Sequence, residues 1–481
     1  MTNLSIFSAN PDLSKRIHSE PEHEFRSSFE RDRDRILYSK EFRRLNRKTQ
    51  VFVAGFDDHA RNRLIHTLEV AQISQTIASH LELNEALTTA IAYGHDVGHT
   101  PFGHVGERIL NSLMNGCGNY RDFNNIDIKY RGFKHNWQSV RALMDLEKIS
   151  DDYGGLNLTN YTLWGVLNHT GVNPKVCEFI SKDGRCNYRH ANKKCKIAKE
   201  GLLFSFYDKY QAQIKSGESW TLEALVVRIS DEIAQRHHDI EDGLLARIIN
   251  KDEILAILMS LKEFFSPEEI SKLSGLPIED NISVFIKSAS SLFINLLVSN
   301  LIQQAKKNLK SLETKYSIVD NVSFHEKKTV IYSNENIFEI FSYDSGLISK
   351  EKEIQKILKD RILNSQLAQS MDGKSAVILT KLISVYLDNP QQLPDATINT
   401  LYMRYLTQTI RSNLLLNTYE QNIGYFRERL KVDHSKHNTF KYRNILMRTI
   451  CDFIAGMTDD FALKQYDKMY SSRNVFNNYR D

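Results

Sequence analysis

The chain has 481 residues, with 63 Lys+Arg against 59 Asp+Glu and a formal net charge of +4, so no strong overall field commits it to nucleic acid or an anionic membrane. Apolar residues at 41%, charged residues at 25% and aromatics at 10% exclude disorder and collagen-like structure and supply a large core. Only 8 Pro and 21 Gly interrupt the chain, which predicts long helices and an all-α fold.

The opening MTNLSIFSANPDLSKR has no basic segment leading into an apolar stretch, and no run of 18 apolar residues follows. Neither a signal peptide nor a membrane span is expected, and the cytoplasm is the natural compartment. Five cysteines, an odd number in a long chain, do not suggest a disulfide framework.

In chain order, residues 1–58 are expected to form an N-terminal helical segment, with RDRDR at 31–35 as a solvated helix face. A core follows over 59–250. Within it His66, Val70, Ile73, Ile77 and Leu81 recur at spacings of 4, 3, 4 and 4, one face of a helix, so His66 points toward the interior. Leu87 and Ile91 lie eight and four residues before His95 and put it on a buried stripe too. Gly98, Pro101 and Gly103 in GHTPFGH then break the helix.

A basic insertion is expected at about 174–218, where KDGRCNYRHANKKCKIAK (182–199) is rich in Lys and Arg and poor in aliphatics. Cys177, Cys186, His190 and Cys195 could form a zinc site, but the first spacing is longer than usual and free thiols are the better reading. The same basic loop could steer nucleotides or contact single-stranded nucleic acid. Helix resumes over 221–249 with Thr221 as N-cap and Glu223 in the first turn. Residues 251–481 read as a C-terminal helical region, except that β-branched and aromatic stretches over 318–346 predict a short β-hairpin. No internal repeat is visible.

On the helix after Thr221, Asp231, Gln235, His238, Asp239 and Asp242 sit at offsets 0, 4, 7, 8 and 11, within about 100° of one another. The other faces carry Leu225, Val226, Ile229 and Ile233, so this polar stripe is expected to face an internal cleft. Two buried histidines, an Asp beside one of them and a separate carboxylate make a mixed N/O donor set. It suits Mn, Fe, Co, Ni or Zn, and Mg where water completes the shell.

The order His66, His95-Asp96, Asp231 resembles the H…HD…D signature of HD-domain phosphohydrolases. The flanks are more specific. DRDRILYSKEFRRLNRKTQVF (32–52), RNRLIHTLEVAQI (61–73), AYGHDVGHTPFGHVGE (92–107), GFKHNWQSVR (132–141), TLEALVVRISDEIAQRHHDIEDGL (221–244) and DFIAGMTDDFA (452–462) resemble the deoxyguanosinetriphosphate triphosphohydrolase, or dNTP triphosphohydrolase, family.

The resemblance implies an HD-domain helical bundle with additional C-terminal helices, a divalent metal ion as cofactor, and hydrolysis of a dNTP to deoxynucleoside and inorganic triphosphate. By motif position it implies His66, His95, Asp96 and Asp231 as metal ligands, and His104 with Glu107 as the catalytic imidazole and its carboxylate partner. It places Arg63, His99 and His135 by the phosphates, and Gln50 and Asp239 against the deoxyribose.

Two positions depart from the family pattern. Gln235 stands where a sugar-packing Tyr is usual, so exclusion of ribose is open, and Asn168, followed by His169, stands where many members have a phosphate-binding Lys. A homo-oligomer is expected, and a nucleotide effector or single-stranded nucleic acid is a candidate further partner. A catalytically weak nucleotide or single-stranded nucleic-acid binding regulator is the alternative, but the retained ligand positions favour an enzyme. An HD-type cyclic-dinucleotide phosphodiesterase is disfavoured because its HHExxDGxGYP signature is missing.

Overall fold

A computed structural model describes residues 4–50, 61–117, 126–170, 204–278, 281–409, 423–436 and 440–470. The described residues are built from helices joined by short turns and contain no β-strand, only isolated bridges at Thr49–Asn62 and Lys148–Gly155. The all-α expectation holds.

Helices α1 (Ser28–Leu37) and α2 (Lys40–Arg44) lead into α3 (Arg63–His80) and α4 (Glu85–Gly94). They are followed by α5 (Gly103–Met114), α6 (His135–Arg141), α7 (Asn160–Asn168) and α8 (Leu222–Leu245). Local chemistry sets the boundaries. Asn62, Asn84 and Thr221 each cap a helix by accepting a backbone N–H two or three residues into it, and Thr221 does so as the sequence predicts.

In α1 the charged run is not simply a solvated face. Asp32 is fully buried, pairs with Arg16 at 2.6 Å, and accepts hydrogen bonds from Thr159 N, Thr159 Oγ1 and Thr162 Oγ1. A buried carboxylate is tolerated because its oxygens are satisfied, and here it ties the N-terminal segment to the start of α7.

Helix α9 (Ile282–Tyr316) is long and apolar enough, by length and composition, to cross a membrane. Its Phe285, Ile286, Ala289, Phe293 and Leu297 are buried in the main hydrophobic cluster, and the helix packs on α8. The hairpin expected over 318–346 is corrected: α10 (Asn321–Asn334) occupies it, followed by a 3-10 turn at Ile337–Glu339. Asp320 caps α10 by accepting from Ser323 N, and Phe324, Lys328 and Ile331 face inward at helical spacing. Capping and burial outweigh the β preference of Val322, Thr329, Val330 and Tyr332.

The C-terminal helices include α11 (Gln366–Asp388), α12 (Phe440–Ala455) and α13 (Asp459–Tyr470). Buried apolar residues form two clusters. One unites α3, α4, α7, α8 and α9; the other joins Val105, Ile109 and Leu110 of α5 to α11 and α12. The segment from Val97 to Phe102 passes from the first to the second.

Candidate active site

Helix α3 carries Arg63 and His66 one turn apart on its buried side. At the end of α4, His95 donates from Nδ1 to the Ala92 carbonyl at 2.6 Å, which fixes the tautomer and leaves Nε2 with its lone pair inward. Asp231 projects from α8. His66 Nε2 lies 3.0 Å from Asp231 Oδ1, and His95 Nε2 lies 3.9 Å from the same oxygen. Asp96 approaches from the other side, with Oδ1 3.6 Å from His95 Nε2 and Oδ2 4.0 Å from His66 Nε2. The four residues expected as metal ligands therefore meet at one place.

The donor set fits a divalent ion. Ligating atoms of His66, His95 and Asp231 all lie within 4.8 Å of one another, and His95 Nε2 is buried without a hydrogen-bond partner. Such an orphaned lone pair is costly unless something is meant to fill it. Burial opposes ionisation of Asp231, but the hydrogen bond from His66 and the neighbouring His95 bring its carboxyl down to about 2. Asp96 is likewise held well below the usual range, against burial, by His99, His95 and Arg63.

The loop between α4 and α5 is forced against α6. A Cβ on Gly98 would stand 2.1 Å from Ser139 N and 2.5 Å from the His135 carbonyl, so only glycine permits this approach. As a result the rings of His99 and His135 stack at 3.9 Å. Phe102, at φ +58, adopts the left-handed conformation just before α5, and its N–H donates to Asp459 Oδ1 at 2.9 Å. The other oxygen of Asp459 accepts from Thr49 N at 2.8 Å. Lys48, fully buried, donates to the carbonyls of His99 and Ala455. The start of α13 thus braces both the His99 loop and the segment that ends at Gln50.

Arg63 is 2% exposed, and its Nη1 bonds Asp96 Oδ2 at 2.5 Å. His104 is exposed at the start of α5, where crowding by the surrounding protein, opposed by the Glu107 charge and reinforced by Arg63 and His135, pushes its imidazole down to about 4. Glu107, its expected partner, makes its described hydrogen bonds elsewhere. The Glu107 carboxylate accepts instead from His135 Nδ1, from His135 N at 3.0 Å and from Lys134 Nζ at 2.7 Å. The start of α6 brings these donors to Glu107, while His104 senses its charge without a hydrogen bond.

Gln50, Gln235 and Asp239 do come together. Gln50 Nε2 donates to Gln235 Oε1 at 3.3 Å, and Gln235 Nε2 donates to Asp239 Oδ1 at 2.8 Å. Burial pushes the Asp239 carboxyl up to about 6 despite that bond. Asn168 turns back on its own helix, donating to the Trp164 carbonyl at 2.9 Å.

Three residues enter the site that the motif reading did not assign. His169, 1% exposed at the end of α7, donates from Nδ1 to the Val166 carbonyl at 2.7 Å and presents Nε2 to the centre. Glu69, three residues after His66, bonds His238, whose ring lies 5.1 Å from that of His66. The i, i+3 spacing of Glu69 to His66 was a usable signal, whereas nothing in the sequence aims His169. Cys177, Cys186, His190 and Cys195 lie outside the described residues.

This helical cradle of paired histidines and carboxylates is that of an HD-domain protein, and the HD domain family model matches residues 63–235. A phosphohydrolase-associated domain model matches 424–468, which includes α12 and most of α13. Proteins named deoxyguanosinetriphosphate triphosphohydrolase-like are similar over nearly the whole chain. The one from Rickettsia felis is 30% identical, covering 99% of this chain and 100% of its own. That from Leptospira interrogans is 29% identical over 96% and 94%, and that from Bartonella tribocorum 28% over 98% and 96%. The chain belongs to this deoxyguanosinetriphosphate triphosphohydrolase-like family.

Proposed function

We propose that the protein hydrolyses deoxynucleoside triphosphates to deoxynucleoside and inorganic triphosphate. The observation that carries this reading is the convergence of His66, His95, Asp96 and Asp231, with Arg63 bonded to Asp96 and the rings of His99, His104 and His135 grouped beside them. His66, His95, Asp96 and Asp231 would hold a divalent ion, which would supply Lewis-acid stabilisation of phosphoryl charge and lower the pKa of a bound water.

The chain's own groups do the rest. Arg63 and the imidazoles of His99 and His135 receive the anionic tail, while the Gln50–Gln235–Asp239 chain orients the sugar, with Asp239 accepting the 3′-hydroxyl. Water adds at the α-phosphorus, the P–O5′ bond breaks, and the 5′-oxygen must gain a proton. His104 is the group placed to give it. It is neutral in the free protein, and the arriving tail, with about four negative charges, favours the imidazolium. Glu107, through His135 and Lys134, fixes the wall beside it. A free-nucleotide substrate fits a cytoplasmic enzyme.

The test is incubation with each dNTP and NTP plus Mn²⁺ or Mg²⁺, separating triphosphate from pyrophosphate. Triphosphate with free deoxynucleoside is expected. Pyrophosphate with a monophosphate product would replace this reading with another phosphohydrolase.

A further inference from the structure

Glu107 of α5 holds two neighbouring residues at once. One carboxylate oxygen accepts from His135 Nδ1 and His135 N, and the other accepts from Lys134 Nζ at 2.7 Å. A row His99, His135, Lys134 therefore runs outward from the expected metal ligands. His99 Nε2 stands 3.2 Å from Asp96 Oδ1, the rings of His99 and His135 stack at 3.9 Å, and Lys134 follows with its side chain 25% exposed. The two imidazoles are buried, so the ammonium is the member of the row that reaches solvent. Other cations nearby are committed. Arg63 bonds Asp96 at 2.5 Å, and Lys48 donates to the carbonyls of His99 and Ala455. At the end of α7, Asn168 brings no charge and turns to the Trp164 carbonyl. An ammonium has three N–H donors. Among the described residues Lys134 gives one of them to Glu107, which leaves two to offer. Its charge also reaches His104, whose imidazole it helps to hold down.

We propose that Lys134 binds the outer phosphoryl groups of the substrate and so makes the site select a triphosphate chain over a single phosphate. The inference rests on the reading that the protein cleaves at the α-phosphorus. With that phosphorus beside His66, His95, Asp96 and Asp231, the β and γ groups extend away from them. The row His99, His135, Lys134 offers donors along such a path, from buried imidazole to half-buried ammonium. The terminal phosphoryl group carries the most charge, and a compact ammonium on a flexible stem suits it, because its donors can turn to whichever oxygens the tail presents. Against burial, His135 and Lys134 hold the Glu107 carboxyl well below its ordinary range. The ionised carboxylate thus keeps Lys134 in place before the tail arrives, which lowers the ordering cost of binding.

The test uses the full chain loaded with Mn²⁺, without nucleotide. Isothermal titration calorimetry with inorganic triphosphate and with orthophosphate measures the selectivity for chain length. The wild type is expected to hold triphosphate the tighter of the two. Lys134→Gln keeps an N–H for Glu107 and loses the charge. It should weaken triphosphate binding by about 10–100-fold and change orthophosphate binding by less than about threefold, with helical circular dichroism unchanged. Lys134→Arg, which retains the charge, should stay within about threefold of the wild type. Unchanged triphosphate affinity in folded Lys134→Gln would overturn the proposal, and so would an equal loss towards both anions, the result of a disturbed wall. A wild type that holds triphosphate no tighter than orthophosphate would overturn it even if the variant does not fold. The α-phosphorus reading fails separately, by release of pyrophosphate from a dNTP, which leaves these affinities untouched.

Discussion

The titration of single groups in the cleft follows from which side chains can reach them. His104, pushed down to about 4 by desolvation, is unprotonated in the free protein near neutrality. If the substrate's charge raises it, the pKa that governs kcat should lie above the one that governs kcat/KM, which paired pH profiles measure. His104→Ala is expected to lower kcat by about 10²–10⁴-fold with metal content unchanged. A loss confined to KM would make His104 a binding group.

Asp239 gives a second test at this scale. Its folded pKa of about 6 lies above the unfolded value of about 3.9, so the folded state keeps a proton that the unfolded chain releases. The resulting penalty on stability is nil below pH 4, grows between about 4 and 6, and is complete above. Asp239→Asn should therefore be more stable than the wild type by about 1–3 kcal/mol at pH 7.5 and equal to it near pH 4, by thermal unfolding. The same variant is expected to lose activity because the amide is a poorer acceptor for the 3′-hydroxyl. Gln235, in line between Gln50 and Asp239, leaves room where a ring would exclude a 2′-hydroxyl. Gln235→Tyr should raise the dNTP/NTP ratio of kcat/KM by about 10-fold, the equivalent of 1–2 kcal/mol. Equal ratios in both proteins would point to Gln50 or Asp239 as the sugar gate.

Among the elements, the start of α13 has an influence on the site out of proportion to its distance in sequence. Asp459 holds the backbone N–H groups of both Thr49 and Phe102. Removing its carboxylate leaves two buried donors without partners, each costing about 1–3 kcal/mol. Asp459→Ala is expected to lower unfolding free energy by about 2–5 kcal/mol in urea titrations and to impair the Gln50 contact. Asp459→Asn, which keeps one acceptor, should recover part of it. At this scale the sequence is informative where a cap or a strict period is present. Asn62, Asn84 and Thr221 mark helix starts directly, and the His66 to Leu81 spacing is that of a buried face. It misleads over 318–346, where β-branched residues suggest a hairpin but Asp320 and the inward row Phe324, Lys328 and Ile331 make a helix.

For the molecule as a whole, the site sits where α3, α4 and α8 of one apolar cluster meet α5 of the other. Metal dependence should extend to both activity and local order. Asp231→Ala is expected to abolish turnover and metal binding while helical circular dichroism persists, and chelation should reproduce the loss reversibly. Full activity in that variant would end the metal-dependent reading.

The sequence by itself determined the helical class and the family, because composition, helix period and cap residues are local properties and the H…HD…D blocks lie within single helices or turns. It also pointed to Gln50, Gln235 and Asp239 as one group. The tertiary structure alone decided that Glu107 holds His135 and not His104, and that His169 faces His135. Those contacts join residues 28 and 34 positions apart on different helices, and their partners depend on how closely Gly98 lets the loop approach α6. Helical periodicity fixes which face a side chain occupies, but which neighbour it meets across the cleft depends on the packing of the helices that carry both.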